Sequence, residues 1–580
     1  MTHKQVSSST HENHLFTTRF WKRDGLILGS FVIFSILNVI LFARYGWLFG
    51  AQDLQFHLQR IEEVYQNLRH LNLLPAIATY TFNQNGSAVM SLYPKLPLYP
   101  FALCRLIIGQ PIVSYYVGMI LQSLVGMVIC YYCLLTIDAK KRLFSYLATI
   151  GYVLSGMAVT YNFASADLGV SFSILCFPLA FVGVYHWLKS GNYKMLTIGV
   201  SLVALSHVLN FILLICMLIC ITIINLKKIN QRKLINLLKG VGISTAVTSS
   251  FWLPALSFGT STRIVTPQKF PLNGISWESF IKNPVTSASW YGISLLAIVG
   301  LILGLLTYRY LPKYLRQALW LSIGIILISS SLFPWEILQK TPLSMIQFSW
   351  RLLVFPQLFL MVIFGYTMVY WVQKLPVKWA MVGIGLTSLV IVGLSMQAQY
   401  RLVKFQVDAP EINYTLTSDQ NIPYKKGMAW FKTTNVYEYR NLVGFTGNRD
   451  YYPKSITIPI FNQIAFPTHN ALLDNNATTT PVKTRPGGNQ ATLTFNLTTP
   501  VRSIEMPFVI YNHHYQVTLD GKSTDLKISR RNLLTFNHLS AGRHTVHISY
   551  QNFLMTSTVI LLSIFGLIML IIPSKQHRPR

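Results

Sequence analysis

The chain has 580 residues, 52% of them hydrophobic and only 11% charged, a balance that excludes an ordinary soluble globular protein. Its formal net charge is +30, but the basic residues gather in short loops between apolar runs. The excess therefore reads first as membrane orientation, then as attraction to anionic lipid or substrate, and not as nucleic-acid binding.

Taken in order, residues 1–24 read as a cytoplasmic N-terminus. The first apolar run is long and lacks a small-residue cleavage site, so it is expected to remain as a span. Stretches of roughly 17 to 25 apolar residues can cross a hydrocarbon core. On that measure spans are expected at about 25–46, 112–136, 143–161, 169–188, 194–207, 209–225, 236–256, 290–307, 317–333, 352–371, 378–397 and 553–573. The pair within 194–225 is short, with a turn at "SHVLN". The clusters "TTRFWKRD", "DAKKR", "KSGNYK", "LKKINQRK", "YRYLPKYLR", "VQKLPVK" and the tail "SKQHRPR" at 574–580 alternate with basic-poor loops. Placing them in the cytoplasm puts 47–111, 162–168, 257–289, 334–351 and 398–552 on the extracytoplasmic side. The six cysteines, at 104, 130, 133, 176, 216 and 220, all lie in the membrane part. Cys130 and Cys133 form a CxxC without zinc-spaced partners and read as packing residues.

The polar segment 398–552 reads as a β domain. "ATLTFNLT", "SIEMPFVIY", "YQVTLDGKS" and "RHTVHISY" alternate apolar and polar residues, and Asp520-Gly521 is a hairpin signal. A sandwich or jelly roll follows, inserted before the last helix.

The first 400 residues hold nine acids, and six of them fall in the loops assigned outside. On a helical wheel over 51–72, Leu54, Leu58, Ile61, Tyr65 and Leu68 make an apolar face, and Gln55, Gln59, Glu62, Glu63 and Gln66 a solvated one. Between them Asp53, His57 and Arg60 stand at i, i+4 and i+7, within about 60° of one another. The expectation is a helix lying on the outer membrane surface, with either a reactive carboxylate beside an imidazole and a guanidinium or an incidental ion pair. Asp167 is the only acid of the second outer loop and reads either as a helix N-cap or as a site residue. Arg351, at the edge of a span, is a phosphate candidate through its bidentate fork or a snorkelling cation. His207 and Asn210, at the turn of the short hairpin, face the same region or serve structure. Arg105 and Lys95 are weaker phosphate candidates.

The segments "DLQFHLQRIEE" and "SLYPKLPLYPFALCRLIIG" (91–109) carry a resemblance, joined by "SADLGVSFSILCFPLAF" (165–181), "LSHVLNF" (205–211), "FWLPAL" (251–256) and "FSWRLL" (348–353). Together they resemble the bacterial membrane family called 6-pyruvoyl-tetrahydropterin synthase-related, a name that describes no pterin chemistry. The layout is similar to YfhO-like proteins and to GT-C glycosyltransferases, and "YNHHYQVTLDGK" with "AGRHTVHISYQN" resembles the YfhO-like β domain. Ala51-Gln52 stands where Gly-His is expected, and Ser349 where Pro is expected.

The resemblance implies a polytopic α-helical, GT-C-like membrane protein of about twelve spans with an extracytoplasmic β domain. It implies transfer of a sugar from a polyprenyl-phosphate donor to a cell-envelope glycan or lipid, among membrane lipids. Asp53 would be the base or would orient the acceptor, with His57 and Arg60 fixing it, Arg351 would be the phosphate ligand, and Asp167 would complete a divalent-cation site. A transporter or flippase of a lipid-linked intermediate, and an envelope scaffold binding glycan, are the competing readings. Polar residues collected at one outer cluster favour the enzyme.

Overall fold

In lipid an apolar run must satisfy its own backbone hydrogen bonds, which a helix does. The computed structural model describes residues 18–49, 53–138, 141–267, 269–286, 292–408, 432–444, 449–457, 470–474 and 478–572. Residues 1–17, the tail from 573 and the Ala51-Gln52 pair lie outside the described residues.

Helix α1 (Thr18–Ala43) leads to a short strand, β1 (Leu48–Phe49), and then to α2 (Leu54–Arg69). After α3 (Val89–Leu92) and α4 (Leu98–Ile108) come α5 (Pro111–Leu135), α6 (Arg142–Val153) and α7 (Gly156–Val159). Helices α8 (Leu168–Ser190), α9 (Lys194–Ala204), α10 (Val208–Ile224), α11 (Gln231–Val247) and α12 (Ser249–Ser261) follow. Then come α13 (Trp277–Thr286), α14 (Leu295–Leu306), α15 (Lys313–Ser329), α16 (Trp335–Leu338), α17 (Val354–Val372) and α18 (Val377–Asp408). A strand β2 (Lys432–Thr433) and α19 (Val436–Gly444) precede the β domain, and α20 (Phe553–Ile571) closes the described chain.

Among the described residues seven helical stretches are long and apolar enough to cross a membrane: Asp24–Ala43, Pro111–Leu135, Arg142–Ala164, Leu168–Ser190, Ser349–Val372, Val377–Asp408 and Phe553–Ile571. An eighth results if α11 and α12, bent by 65° at their junction, form one broken span. The other four expected spans are helices of 11, 17, 12 and 17 residues, α9, α10, α14 and α15. At 1.5 Å per residue the shortest reaches about 16 Å, roughly half of a ~30 Å core.

Close backbone approach fixes the bundle. A Cβ on Gly183 would lie 2.3 Å from the Leu196 nitrogen, and one on Gly199 2.4 Å from the Ala180 nitrogen. Helices α8 and α9 therefore pack antiparallel at a separation that only glycine permits. Asn38 donates to Ser123 Oγ at 3.1 Å and Gln399 to Asn38 Oδ1 at 3.4 Å, so α1, α5 and α18 are joined by amide bonds in an apolar surround.

The β domain is a sandwich of two antiparallel sheets. Its strands are β3 (Asn470–Leu473), β4 (Thr478–Pro481), β5 (Lys483–Gly487), β6 (Gln490–Leu497), β7 (Val501–Val509), β8 (Tyr515–Leu519), β9 (Lys522–Thr524), β10 (Leu533–Leu539) and β11 (Gly542–Tyr550). Four strands run in the order β10-β7-β3-β4 and five in the order β5-β6-β11-β8-β9. Alternating residues such as Leu493, Phe495, Ile504, Met506, Val546 and Ile548 fill the space between. Asp520-Gly521 forms a two-residue hairpin with φ of +49° and +80°, and Leu519 pairs with Lys522 across it.

This sandwich sits on the segment after α2. Asn489 Oδ1 accepts from the amides of Ala76 at 2.8 Å and Ile77 at 3.3 Å. The Val509 amide donates to the Asn85 carbonyl at 2.8 Å, and the Phe508 ring lies so close to Gly86 that a Cβ there would come within 2.6 Å of it. A β1–β2 pair stitches the end of α1 to the chain after α18. The first loop and the β domain thus share one end of the bundle.

Replacing Gly199 with alanine is expected to overpack the α8–α9 contact at a cost of about 1–3 kcal/mol. It should lower the melting temperature in detergent by several degrees, whereas Gly242→Ala, with open space around it, should not lower it.

Candidate functional site

Three chain segments meet where α2 begins. The Asp53 amide donates to the Ser165 carbonyl at 3.0 Å, which ties the first loop to the α7–α8 joint. Asp167 caps α8 by accepting from the Val170 amide at 3.1 Å through Oδ1. One turn into α2, His57 brings Nε2 to 3.4 Å from the same Oδ1. His207 caps α10, its Nδ1 accepting from the Asn210 amide at 3.1 Å, and places Nε2 at 3.9 Å from Asp167 Oδ2. Asn210 in turn donates to Ser173 Oγ at 2.6 Å. One carboxylate is therefore flanked by two imidazoles and serves as the N-cap as well.

Space here is tight. A Cβ on Gly169 would lie 2.9 Å from the Ser206 carbonyl, 2.9 Å from the Tyr93 hydroxyl and 3.3 Å from Asp167 Oδ1. With His57 Nε2 facing a carboxylate, the proton is assigned to Nε2, which leaves Nδ1 as an acceptor. That nitrogen is buried and has no hydrogen-bond partner among the described residues.

The electrostatics separate the two acids. Asp53 is open to water but lies deep in a recess crowded by protein. Burial, then the Asp167 charge, push it up to about 7, against the pull of Arg351. For Asp167 burial also pushes upward, but the His57 hydrogen bond, the two imidazoles and the Val170 amide outweigh it and hold it below the usual carboxylate range. His57 is lowered by burial, partly offset by Asp167, and stays neutral at pH 7.

Arg351 is half-buried at the start of its span. It donates to the Ile346 carbonyl at 3.3 Å and lies over the Phe348 and Trp350 rings at 5.4 and 5.8 Å. Its charge acts on both Asp53 and His207, so it borders the recess. Arg60 is fully buried behind the recess: it donates to the Tyr93 and Pro94 carbonyls at 3.1 and 2.6 Å, lies over the Tyr93 and Phe56 rings at 4.4 and 5.3 Å, and its charge acts on His57. Arg105 pairs with Glu62 at 3.4 Å, and Lys95 donates to the Pro75 carbonyl at 2.9 Å. The structure brings Asp53, His57, Asp167, His207, Asn210 and Arg351 together. Arg60, Arg105 and Lys95 are engaged with the walls.

The surface-helix expectation is corrected. Gln59, Glu62 and Glu63 are buried, because the polar face of α2 docks onto α19 and the 79–81 loop rather than facing water. Gln55 and Gln59 donate to the Leu442 and Val443 carbonyls at 3.2 and 3.4 Å, and Tyr439 donates to Glu62 at 3.2 Å. Glu63 accepts from the amides of Thr79, Tyr80 and Thr81 at 3.1, 3.0 and 2.9 Å. It also accepts from Thr81 Oγ1 at 3.0 Å and Asn67 Nδ2 at 3.0 Å. Burial raises Glu63 to about 7 even though the donors from 79–81 pull the other way.

Sequence alone does not single out three aromatic rings at this site: Phe56, Tyr93 and Tyr451. Their ring centroids lie 5.7 Å (Phe56–Tyr93), 6.2 Å (Phe56–Tyr451) and 6.0 Å (Tyr93–Tyr451) apart. Tyr93 lies in the "SLYPKLPLYP" stretch, whose prolines mark it as a shaped loop. Nothing local signals Tyr451, which arrives from nearly 400 residues downstream of α2.

Fold and site together define a polytopic membrane protein with a polar recess at the end of the bundle that carries the β-sandwich. The chain belongs to the 6-pyruvoyl-tetrahydropterin synthase related domain family of membrane proteins, whose profile matches residues 90–401. No curated protein matches it. Among solved structures it is similar to the arabinofuranosyltransferase AftD from Mycobacteria, with 14% identity and a TM-score of 0.42 over 66% of this chain. The chain spans 27% of that protein's length. It is also similar to ArnT from Cupriavidus metallidurans bound to undecaprenyl phosphate, with 11% identity and a TM-score of 0.37, covering 67% of this chain and 76% of ArnT.

All of these Glu63 partners are donors, so an amide in its place turns an NH₂ group toward N–H groups. Glu63→Gln is expected to cost about 2–3 kcal/mol, seen as a lower melting temperature and faster proteolysis within 73–97.

Proposed function

We propose that the protein is an integral membrane glycosyltransferase that moves a sugar from a polyprenyl-phosphate donor to a cell-envelope polymer or lipid. The observation that carries this reading is the single recess in which Asp53, raised to about 7, sits beside the Asp167–His57–His207 group and Arg351. The recess and the β domain occupy one end of the bundle, and the basic loops support assigning that end to the extracytoplasmic side.

Asp53 takes the proton of the acceptor hydroxyl as its oxygen attacks the anomeric carbon. The bond from that carbon to the phosphate oxygen breaks, and the polyprenyl phosphate leaves as an anion. A carboxylate titrating near neutrality suits the first task. A guanidinium, with its bidentate geometry, suits the second. Asp167, held ionised, orients His57, and His57 and His207 line the recess as hydrogen-bonding groups. Among the described residues no three His, Cys, Asp or Glu side chains converge as a metal set, and the near neighbours of Asp167 are imidazoles and an amide.

The test is the envelope glycan of a deletion strain complemented with each variant at matched protein levels. Wild type should restore a missing sugar, and Asp53→Asn should lower transfer by about 100- to 10,000-fold. A fully active Asp53→Asn protein sinks the proposal and favours a glycan-binding scaffold.

The pH dependence carries its own sign. A base must be ionised, so transfer by purified protein should rise as pH increases through about 7, the value to which Asp53 is raised. It should fall on the acid side, where Asp53 is protonated.

A further inference from the structure

The segment 449–457 follows α19 and is clamped from three directions. The Tyr451 amide donates to the Val265 carbonyl at 3.0 Å, the Val265 amide to the Tyr452 carbonyl at 2.7 Å, and the Lys454 amide to the Arg263 carbonyl at 2.8 Å. From the β domain, the Tyr511 hydroxyl donates to the Tyr451 carbonyl at 3.2 Å, and Asn532 Oδ1 accepts from Ser455 at 2.7 Å. From the first loop, Asn85 Oδ1 accepts from the Tyr452 hydroxyl at 3.0 Å.

These clamps hold Tyr451 at φ +71°. This left-handed conformation is one that a bulky L-residue avoids, and it persists only where surrounding contacts over-determine it. The effect is to aim the ring at the recess. It lies nearly parallel to Phe56, at 23°, and perpendicular to Tyr93, at 86°. Phe56 stands on α2 between Asp53 and His57. Phe56, Tyr93 and Tyr451 are all half-buried, so part of the cluster stays accessible, and Asp53, three residues before Phe56, is exposed. Asp450, the preceding residue, is near enough for its charge to act on Asp53.

A half-open aromatic cluster with the Arg60 guanidinium over Tyr93 and Phe56 at 4.4 and 5.3 Å and carboxylates nearby has a definite ligand chemistry. Aromatic faces carry negative potential and attract the slightly positive C–H hydrogens on one face of a saccharide ring. Carboxylates accept from its hydroxyls.

We propose that Tyr451, with Phe56 and Tyr93, forms a platform for a saccharide ring, and that the segment carrying Asp450 and Tyr451 is the wall of the site against which that sugar is seated. The proposal rests on the transfer reading only for what happens to the sugar; the binding itself is measured separately.

The experiment uses full-length protein in detergent and follows thermal unfolding against methyl glycosides of glucose, galactose, mannose and N-acetylglucosamine. At least one should stabilise the wild type. Tyr451→Leu should weaken its apparent Kd by about fivefold to tenfold, the fold-change equivalent of one aromatic contact, and Tyr451→Phe should bind as wild type. Phe56→Leu, which leaves the strained segment intact, should weaken it similarly and guards against a folding defect in Tyr451→Leu. Unchanged binding in both leucine variants, or no stabilisation of the wild type by any of the four glycosides, overturns the platform. If glycoside binding depends on Tyr451 while Asp53→Asn leaves the envelope glycan unchanged, the transfer reading fails and the platform stands. If Asp53→Asn removes the glycan while glycoside binding is independent of Tyr451 and Phe56, the platform fails and the transfer reading stands.

Discussion

Asp167 is the group on which the arrangement turns. One carboxylate caps α8, faces His57 from α2 and lies opposite His207 at the head of α10. A buried charge of this kind is tolerated only when donors surround it. Each donor belongs to a different part of the chain, so satisfying Asp167 also sets the relative positions of the first loop, the α7–α8 joint and the α9–α10 turn. The N-cap role of Asp167 and its contacts with the two imidazoles are therefore one structural requirement. Burial, reinforced by the negative charge of Asp167, disfavours ionisation of the neighbouring Asp53, and the pair divides into an anion and a titratable group.

Much of the architecture was legible in the sequence because its cause is local. Long apolar runs had to be helices, alternation in 491–550 had to be strands, and Asp520-Gly521 had to turn. The expected count of about twelve spans goes beyond the seven or eight long crossings found among the described residues. Hydropathy measures apolar length, and α9, α10 and α14 are apolar but too short among the described residues to be counted with the long crossings, while α15, of 17 residues, opens on the charged stretch KYLRQ. Among the candidate residues, Asp53, His57, Asp167, His207 and Arg351 stand out in the sequence because they sit at or near element ends flanked by apolar sequence, and the structure places them near one another.

What could not be read was the partner of each polar face. Gln55, Gln59, Glu62 and Glu63 look solvated on a wheel because the wheel knows only α2. The α19 partners of the first three lie about 380 residues away. Arg60 falls on the same stripe as Asp53, yet two carbonyls and an aromatic ring draw it aside. The loop that Glu63 holds leads directly into Phe82, Asn83 and Gln84, with φ of +51°, +54° and +54°. Three consecutive L-residues in that region are costly, about 1–2 kcal/mol each, and the hydrogen bonds gathered by Glu63 fix the approach to the turn. No propensity scale assigns a left-handed turn to "TFNQ".

The long sequence separation between α2 and the 449–457 segment also dictates an order of assembly. At roughly 5–20 residues per second, translation leaves α2 without Tyr451 and without the α19 face that covers its acids for about 20 to 80 seconds. During that interval the membrane helices can insert, but Glu62 lacks Tyr439 and Asp53 lacks its wall. The nascent protein is thus a carboxylate-bearing helix awaiting its cover, and the recess is completed only when the last tenth to quarter of the polypeptide has emerged and folded back. A chain interrupted before residue 432 would hold the greater part of the bundle and no finished pocket, so biosynthesis itself withholds competence until the structure is whole.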